Sequence, residues 1–188
     1  MYILLAKSRF CKMDPIKLAG DVGFEDVRQL NMKSLRVLPE VRAMCAADKC
    51  RAYGRSWACP PACGSVGHCA ERIAAYSDGI LVQTIASLED EFDMEGIAGA
   101  QKVHTRRFET LARQMRRLLP DCLPLGAGIC RRCIACTYPD RPCRYPEKRL
   151  SSMEAYGLLV SEVCTSSGMP YYRGEKTITF TSCVLFNR

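Results

Sequence analysis

Hydrophobic and polar positions repeat with different periods along this chain, and each period predicts one kind of element. The run SDGILVQTIAS at residues 77–87 is continuously apolar between polar ends, which is typical of a buried strand. Over residues 97–119, apolar side chains recur three and four positions apart with Arg and Gln between them, which predicts a long amphipathic helix. We expect this helix to begin near Ser87 and Asp90 and to end at Pro120.

Two shorter helices are indicated by residues that favour helix ends. Asp14 followed by Pro15 is a favourable start, because the aspartate can cap the first turn and proline fits the first helical position. Ser151 and Glu154 match a capping box ahead of an apolar stripe. A second amphipathic helix is therefore expected there, with Gly168 at its C-terminal cap.

The last part of the chain predicts a strand, and the mixture of elements predicts the fold class. The segment YYRGEKTITFTSCVLF at residues 171–186 has a turn signal and then alternates apolar and polar residues. Because helices and strands do not alternate regularly, we expect an α+β fold: a mixed sheet with helices packed on one face and cysteine-rich loops. A single domain is expected over residues 1–188, with cysteine blocks at residues 45–69 and 130–143.

Thirteen of the 188 residues are cysteine, and this composition narrows the function. The opening MYILLAKSRFCKMDP has no basic residue before its short apolar run, unlike a signal peptide. No stretch approaches the roughly 18 consecutive apolar residues of a membrane helix. We therefore expect a cytoplasmic protein without a membrane partner. In that reducing compartment, an odd number of dense cysteines indicates metal ligands rather than disulfides.

The strongest chemical signal is CRRCIACTYPDRPC at residues 130–143, which has the spacing C-x2-C-x2-C-x6-C. Three cysteines at two-residue gaps can wrap one face of a [4Fe–4S] cluster, with backbone amides turned toward its sulfides. The last gap is longer than in bacterial ferredoxins, which allows all four thiols to bind one cluster. Structural zinc sites draw pairs of ligands from two separated knuckles, so zinc is the alternative. The four expected ligands are Cys130, Cys133, Cys136 and Cys143.

A second block, at residues 45–69, holds more thiols than one cluster needs. The Cys-Pro-Pro stretch that begins at Cys59 is similar to the Cys-Pro element of ferredoxin loops, in which proline fixes the chain leaving the ligand. We expect a second cluster here, with Cys63 or Cys69 as its fourth ligand, because closing a short loop costs little entropy. His68 is not expected to bind metal. The expected ligands are Cys45, Cys50, Cys59, Cys63 and Cys69.

The remaining cysteines and the second histidine are expected to have no role in metal binding. Cys164 and Cys183 lie at apolar positions of predicted elements and should pack as small hydrophobic residues. Cys11 and Cys122 stand alone and are interpreted in the same way. His104 is expected on the side of the long helix that faces solvent.

The formal net charge of +7 does not by itself indicate nucleic acid, because basic and acidic residues are interspersed along most of the chain. Basic residues are concentrated in the downstream cysteine block, at Arg131, Arg132, Arg141, Arg144, Lys148 and Arg149. A [4Fe–4S] core of charge 2+ with four thiolates carries a net charge of about −2, which these residues can compensate. Nucleic acid is an unlikely partner, since no stacking-aromatic motif or zinc-finger His pair accompanies them.

Three segments resemble those of one protein family, the "predicted metal-binding protein" family, domain of unknown function family 2284. They are VRAMCAADKCRAYGRSWACPP at residues 41–61, GAGICRRCIACTYPDRPCRYPEK at residues 126–148, and SSMEAYGLLV at residues 151–160. The resemblance implies three upstream ligands, Cys45, Cys50 and Cys59, and the four downstream ones. It also implies metal binding, iron–sulfur in type, and an anaerobic setting, while the activity of the family is not known.

The number of thiolates on each cluster determines what it can do. With four thiolates, every iron of the cluster is closed to other ligands. The expected function is then electron transfer, or service as a redox accessory to a larger anaerobic enzyme. With three, one iron is open to a small molecule and can act as a Lewis acid, so the first alternative is an iron–sulfur enzyme with an open upstream site. A zinc-stabilised interaction module is the second alternative.

Overall fold

Five strands and five α-helices form the part of the chain that the computed structural model describes, residues 14–187. The helices are α1 (Pro15–Val22), α2 (Pro39–Ala46), α3 (Val66–Ala74), α4 (Met94–Leu118) and α5 (Val160–Ser166). The strands are β1 (Asp26–Gln29), β2 (Asp78–Ser87), β3 (Leu123–Gly126), β4 (Ser151–Ser152) and β5 (Thr177–Phe186). Short 3-10 helices lie at Met32–Ser34, Pro146–Lys148 and Glu154–Tyr156. Cys11 lies outside the described residues.

The strands form one mixed sheet in the order β1-β2-β5-β3-β4, which confirms the α+β class. β2 and β5 pair antiparallel over ten residues each, from Asp78 opposite Phe186 to Ser87 opposite Thr177. β1 pairs antiparallel with β2, and β3 pairs antiparallel with β5. β4 pairs parallel with β3, and the segment between these two strands contains the downstream cysteine block. Both predicted strands, at residues 77–87 and in the tail, are confirmed.

Helices cover both faces of the sheet, so the expectation of helices on one face was wrong. On one face, Ile80 and Val82 of β2 pack against Phe108 and Met115 of α4, with α1 beside them. On the other, the intervening Leu81 packs with residues of α3 and α5 and with the Glu154–Tyr156 turn. Burial on both faces explains why the β2 sequence is continuously apolar, because a strand buried on both sides has no polar face.

The helix ends follow the local sequence at some positions only. Asp14 accepts hydrogen bonds from two amides of the first turn of α1, as expected. The longest helix, α4, begins later than predicted: its N-cap is Asp93, whose side chain accepts from Gly96, while Ser87 is the last residue of β2. Within residues 14–187, no helix combines the length and apolar character required to cross a bilayer.

The capping box predicted at Ser151 does not start a helix. Ser151 pairs with Leu125 as part of β4, and Glu154 begins a single 3-10 turn that ends at Gly157, where φ is +80°. The helix of this region is α5, which is only seven residues long. Gly168 lies just past its C-cap with φ of +67°. The cause is tertiary: pairing with β3 extends the serines, and a left-handed residue at position 157 cannot continue a helix.

His104 is buried, with 1% of its surface exposed, so the prediction that it faces solvent was wrong. Its ring nitrogens lie 3.0 Å from Thr84 Oγ1 and 2.7 Å from Ser182 Oγ, between α4 and the sheet. Burial, with a smaller effect of the Arg107 charge, lowers the pKa of His104 to about 4. The sequence contained the signal, because His104 continues the i, i+4 stripe of Ala100 and Phe108.

Candidate metal centre

All four cysteines of the downstream block line one cavity of about 400 Å³. They lie in an irregular loop that leaves the sheet after β3 and returns at β4. Cys136 is exposed, and Cys130, Cys133 and Cys143 are partly buried. The sequence prediction that these four residues form one group is therefore consistent with their positions around a common space.

Hydrogen bonds within the loop bring its two halves together. Thr137 donates its hydroxyl to the carbonyl of Pro142 at 2.8 Å, and the amide of Arg141 donates to the carbonyl of Thr137 at 2.9 Å. The Arg144 guanidinium donates to the carbonyl of Ala135 at 2.9 Å. These bonds fold the six-residue gap before Cys143 into a compact turn, so that Cys143 returns to the cavity.

Residues 51–58, immediately before Cys59, form the facing wall of the cavity. Trp57 donates its indole N–H to the carbonyl of Arg141 at 2.9 Å, and its ring meets that of Tyr138 edge-on at 4.9 Å. The two cysteine blocks, far apart in sequence, are thus in direct contact. Sequence reasoning assigned no role in the downstream site to Ser56, which also lines the cavity.

Cys136 has the surroundings of a metal-binding thiolate. Partial burial alone would raise the pKa of its thiol. The backbone amides of Tyr138, Trp57 and Thr137 and the hydroxyl of Ser56 all donate toward the sulfur, and together they lower that pKa. Donors fixed in this way stabilise the deprotonated form, which is the form that binds metal.

The cavity is lined by arginine and contains no carboxylate among its described lining residues. Two of the arginines are paired outside the cavity: Arg55 lies 3.5 Å from Asp48, and Arg132 lies 2.7 Å from Glu109. The lining arginines are Arg51, Arg55, Arg131, Arg132, Arg144 and Arg149. A bound group that carries negative charge, including that of its thiolate ligands, would be stabilised there.

Cys59 belongs to the upstream block but also lies near Cys130 of the downstream block. Burial is the main cause that raises the pKa of its thiol to about 11, and the charges of Cys50, Cys45 and Cys130 raise it further. All three therefore lie close enough to Cys59 to act on it electrostatically. Cys45 contacts the carbonyl of Glu154 at 3.8 Å, whereas Cys50 is exposed.

Cys63 and Cys69 form a separate pair within the hydrophobic core. Their thiols interact by a hydrogen bond, which raises the pKa of Cys63 and lowers that of Cys69 to about 7. Arg42 donates to the Cys69 sulfur at 3.3 Å, and Cys63 lies 3.4 Å from the carbonyl of Ala155. The Cys59 charge also acts on Cys63, whose amide donates to the carbonyl of Cys59 at 3.1 Å, so the choice of a fourth upstream ligand stays a prediction. The sequence analysis did not identify Arg42 as the hydrogen-bond partner of Cys69.

Three cysteines outside the two blocks lie in the core of the protein. Cys164 and Cys183 have no exposed surface, and Cys122 is 9% exposed, all within apolar clusters, so their assignment to the core is confirmed. His68 is exposed on α3. Within residues 14–187, no three side chains of Cys, His, Asp or Glu converge at the geometry required to hold one metal ion.

The chemistry of the donor set tests what kind of group the downstream thiols fit. Thiolates are soft ligands that suit zinc and iron–sulfur clusters. All four line one cavity of about 400 Å³. The residues present therefore fit a thiolate-bound metal centre.

A mixed sheet that carries a basic cavity lined by four thiols makes this chain an α+β protein with a candidate metal centre. Residues 28–186 match the family model described as predicted metal-binding protein (DUF2284), and the chain belongs to that family. No curated protein and no solved structure matches the chain. The family assignment supports metal binding as the function of the cysteine-rich loops.

Proposed function

We propose that this protein holds a [4Fe–4S] cluster on Cys130, Cys133, Cys136 and Cys143 and works in electron transfer, as a redox accessory to a larger anaerobic enzyme. The observation that carries the proposal is that all four thiols line one cavity. Four thiolates close every iron of such a cluster, and the chemistry that it then supplies is the gain and loss of one electron.

The residues around the cavity support a cluster more than a zinc ion. Backbone amides and the Ser56 hydroxyl donate toward Cys136, and hydrogen bonds to cluster sulfurs are among the factors that set a cluster's potential. The lining arginines offset a net charge of about −2 on the cluster with its thiolates. All four thiols also line this one cavity.

Metal analysis of the anaerobically purified protein tests this proposal. We expect iron and sulfide in equal amounts, little zinc, and an electron paramagnetic resonance signal after reduction. Replacing any of the four cysteines with Ala should remove about four irons or leave a labile three-iron form. Cys122→Ala, a buried cysteine away from the cavity, is the matched control and should keep the full iron content. Stoichiometric zinc, or full iron in all four variants, contradicts the proposal.

A second cluster at Cys45, Cys50 and Cys59 is the second candidate site, and it introduces an alternative function. Cys63 and Cys69, the candidates for its fourth ligand, hydrogen-bond with each other and contact Arg42 and Ala155. This pairing favours a site with three thiolates, whose open iron could bind a carboxylate or hydroxide as a Lewis acid. The corresponding alternative function is an iron–sulfur enzyme.

The double variant Cys63→Ala/Cys69→Ala distinguishes these two forms of the upstream site. If either cysteine is a ligand, the variant should gain an iron whose spectrum responds to added cyanide or thiolate. If neither is a ligand, the wild-type protein should already respond, and the double variant should respond equally. Iron content that is unaffected by replacing Cys45, Cys50 or Cys59 excludes an upstream cluster.

A further inference from the structure

Ile134 is fully exposed on the loop between Cys133 and Cys136, at the rim of the cysteine-lined cavity. A single exposed hydrophobic residue is ordinary on a protein surface. Here, however, it is one of the two residues between two expected ligands of one group, and its side chain is not packed against the protein.

Exposed arginines lie on the same part of the surface as Ile134: Arg51 and Arg131 line the same cavity, and the carbonyl of Arg141 binds Trp57, which lines it too. Arg131 and Arg141 have no carboxylate partner among residues 14–187, and Arg51 on the facing wall has none either. Residues 127–149 contain six basic and two acidic residues, so this segment has an excess of four positive charges. A cluster of net charge about −2 would leave an excess of about two.

We infer that this surface, Ile134 with Arg51, Arg131 and Arg141, docks an acidic redox partner protein that receives Ile134 in an apolar recess. The inference rests on the proposed function and specifies the partner. A desolvated apolar contact surrounded by charges is the usual arrangement of a protein interface. Opposite charge on the partner would steer the encounter. Docking here brings the partner directly to the loop that holds the cluster.

The aromatic residues near this surface argue for a protein partner rather than a nucleic acid. Binding of single-stranded nucleic acid uses aromatic faces on which bases stack. Trp57 is engaged with Tyr138 and with the Arg141 carbonyl, and the Tyr145 ring is covered by Lys148 at 5.5 Å. The most exposed residue of this surface, Ile134, is aliphatic.

The test measures electron transfer to the cluster-loaded protein from a defined acidic carrier, reduced flavodoxin, by stopped flow. One electron leaves the carrier, which is oxidised, and the cluster is reduced from 2+ to 1+. We expect the rate constant to fall about tenfold between low and moderate salt, because opposite charges steer the encounter. With cytochrome c, a basic carrier that oxidises the reduced protein, the rate should rise with salt.

Variants locate the docking surface. Arg131→Glu/Arg141→Glu should lower the low-salt rate with flavodoxin about tenfold and flatten its salt dependence. Lys33→Glu/Arg36→Glu makes the same charge change beside α5, away from the cavity, and should stay within about twofold of wild type. Ile134→Ser should raise the flavodoxin concentration for half-maximal rate about fivefold without changing the salt dependence.

Three results would overturn the inference: equal rates in the two double variants, a flavodoxin rate that is insensitive to salt, or an unchanged half-maximal concentration in Ile134→Ser. Tight binding of a 20-nucleotide single strand that Arg131→Glu/Arg141→Glu abolishes would assign the surface to nucleic acid instead. Photoreduction by deazaflavin, a small neutral reductant, separates the two proposals. If it reduces no cluster, the proposed function has failed; if it does, only the docking surface is in question.

Discussion

Trp57 Nε1 lies 2.9 Å from the backbone carbonyl of Arg141, to which it donates a hydrogen bond. The donor lies two residues before Cys59, and the acceptor lies two residues before Cys143. This bond joins segments that are 84 positions apart in sequence. The upstream segment is therefore part of the wall of the downstream site.

Trp57→Phe should weaken metal retention by the downstream cysteines. The phenyl ring can still meet Tyr138, but the hydrogen bond to Arg141 is lost, at a net cost of about 1 kcal/mol. We expect about fivefold faster loss of metal to excess chelator, followed by absorbance. Tyr53→Phe, at a half-exposed ring nearby, is the control and should release metal at the wild-type rate. Identical rates in both variants would show that the Trp57 bond does not hold the loop.

His104 should make the stability of the fold depend on pH. Its pKa is about 4 in the folded protein, against an ordinary value of 6.5, so the unfolded chain takes up a proton that the folded one excludes. The contribution is complete above pH 6.5 and is lost as the pH falls toward 4, by about 3 kcal/mol in total. Urea unfolding at a series of pH values measures this change.

The two histidines of the chain provide the comparison for this measurement. His104→Gln retains hydrogen-bonding groups without a titrating ring, and its stability should fall much less between pH 6.5 and 4.5. His68→Gln changes an exposed ring and should follow the wild-type curve. Parallel curves for all three proteins would mean that His104 is protonated in the folded state.

Arg42→Lys should destabilise the protein although the charge is kept. The guanidinium donates to the carbonyl of Ala155 at 2.9 Å, to that of Gly64 at 2.8 Å and to the sulfur of Cys69 at 3.3 Å. An ammonium group cannot reproduce this planar set of bonds, and we expect a loss of about 2 kcal/mol in the free energy of unfolding.

Arg36→Lys is the matched control, because Arg36 pairs with Glu162 at the surface, 3.4 Å apart. Its effect should stay below about 0.5 kcal/mol in the same chemical denaturation experiment. Should the two lysine variants be equally stable, the three bonds of Arg42 do not stabilise the connection between α2, α3 and the Glu154–Tyr156 turn.

Gly157→Ala should be more damaging than the same change at Gly168. Both residues have positive φ, +80° and +67°, so each substitution costs about 1 kcal/mol in backbone strain. At Gly157, an added Cβ would also lie 2.9 Å from Val37 Cγ1 and 3.2 Å from the Leu38 carbonyl, whereas at Gly168 nothing lies within 4 Å. We expect at least about 1 kcal/mol of additional destabilisation at Gly157, measured by thermal or urea unfolding. Equal losses would show that the Val37 contact relaxes freely.

Elements whose signals are local were predictable from the sequence. The cap at Asp14 and the apolar run of β2 needed only neighbouring residues, and both agree with the structure. Ser151 and Glu154 show the opposite case. Their pattern is local and predicts a helix start. Pairing with β3 and the positive φ of Gly157, which depend on distant contacts, prevent that helix from forming.

For the candidate site, spacing predicted that the four downstream thiols share one cluster. All four line one cavity, and the shared cluster stays a prediction. Spacing could not predict that Cys63 and Cys69 turn into the core, because Arg42 reaches them from another helix. Nor could it predict that Ser56 and Trp57 donate toward Cys136, since that relationship exists only once the two blocks are folded together.

β5 lies between β2 and β3, yet it follows every cysteine of both blocks in the chain. During synthesis, the thiols of both blocks therefore leave the ribosome before the strand that joins the two halves of the sheet. Pairings between distant segments form late in folding. All nine thiols of these two blocks are thus synthesised before the sheet can be completed. A metal that binds them can therefore meet the thiols before it meets the finished fold.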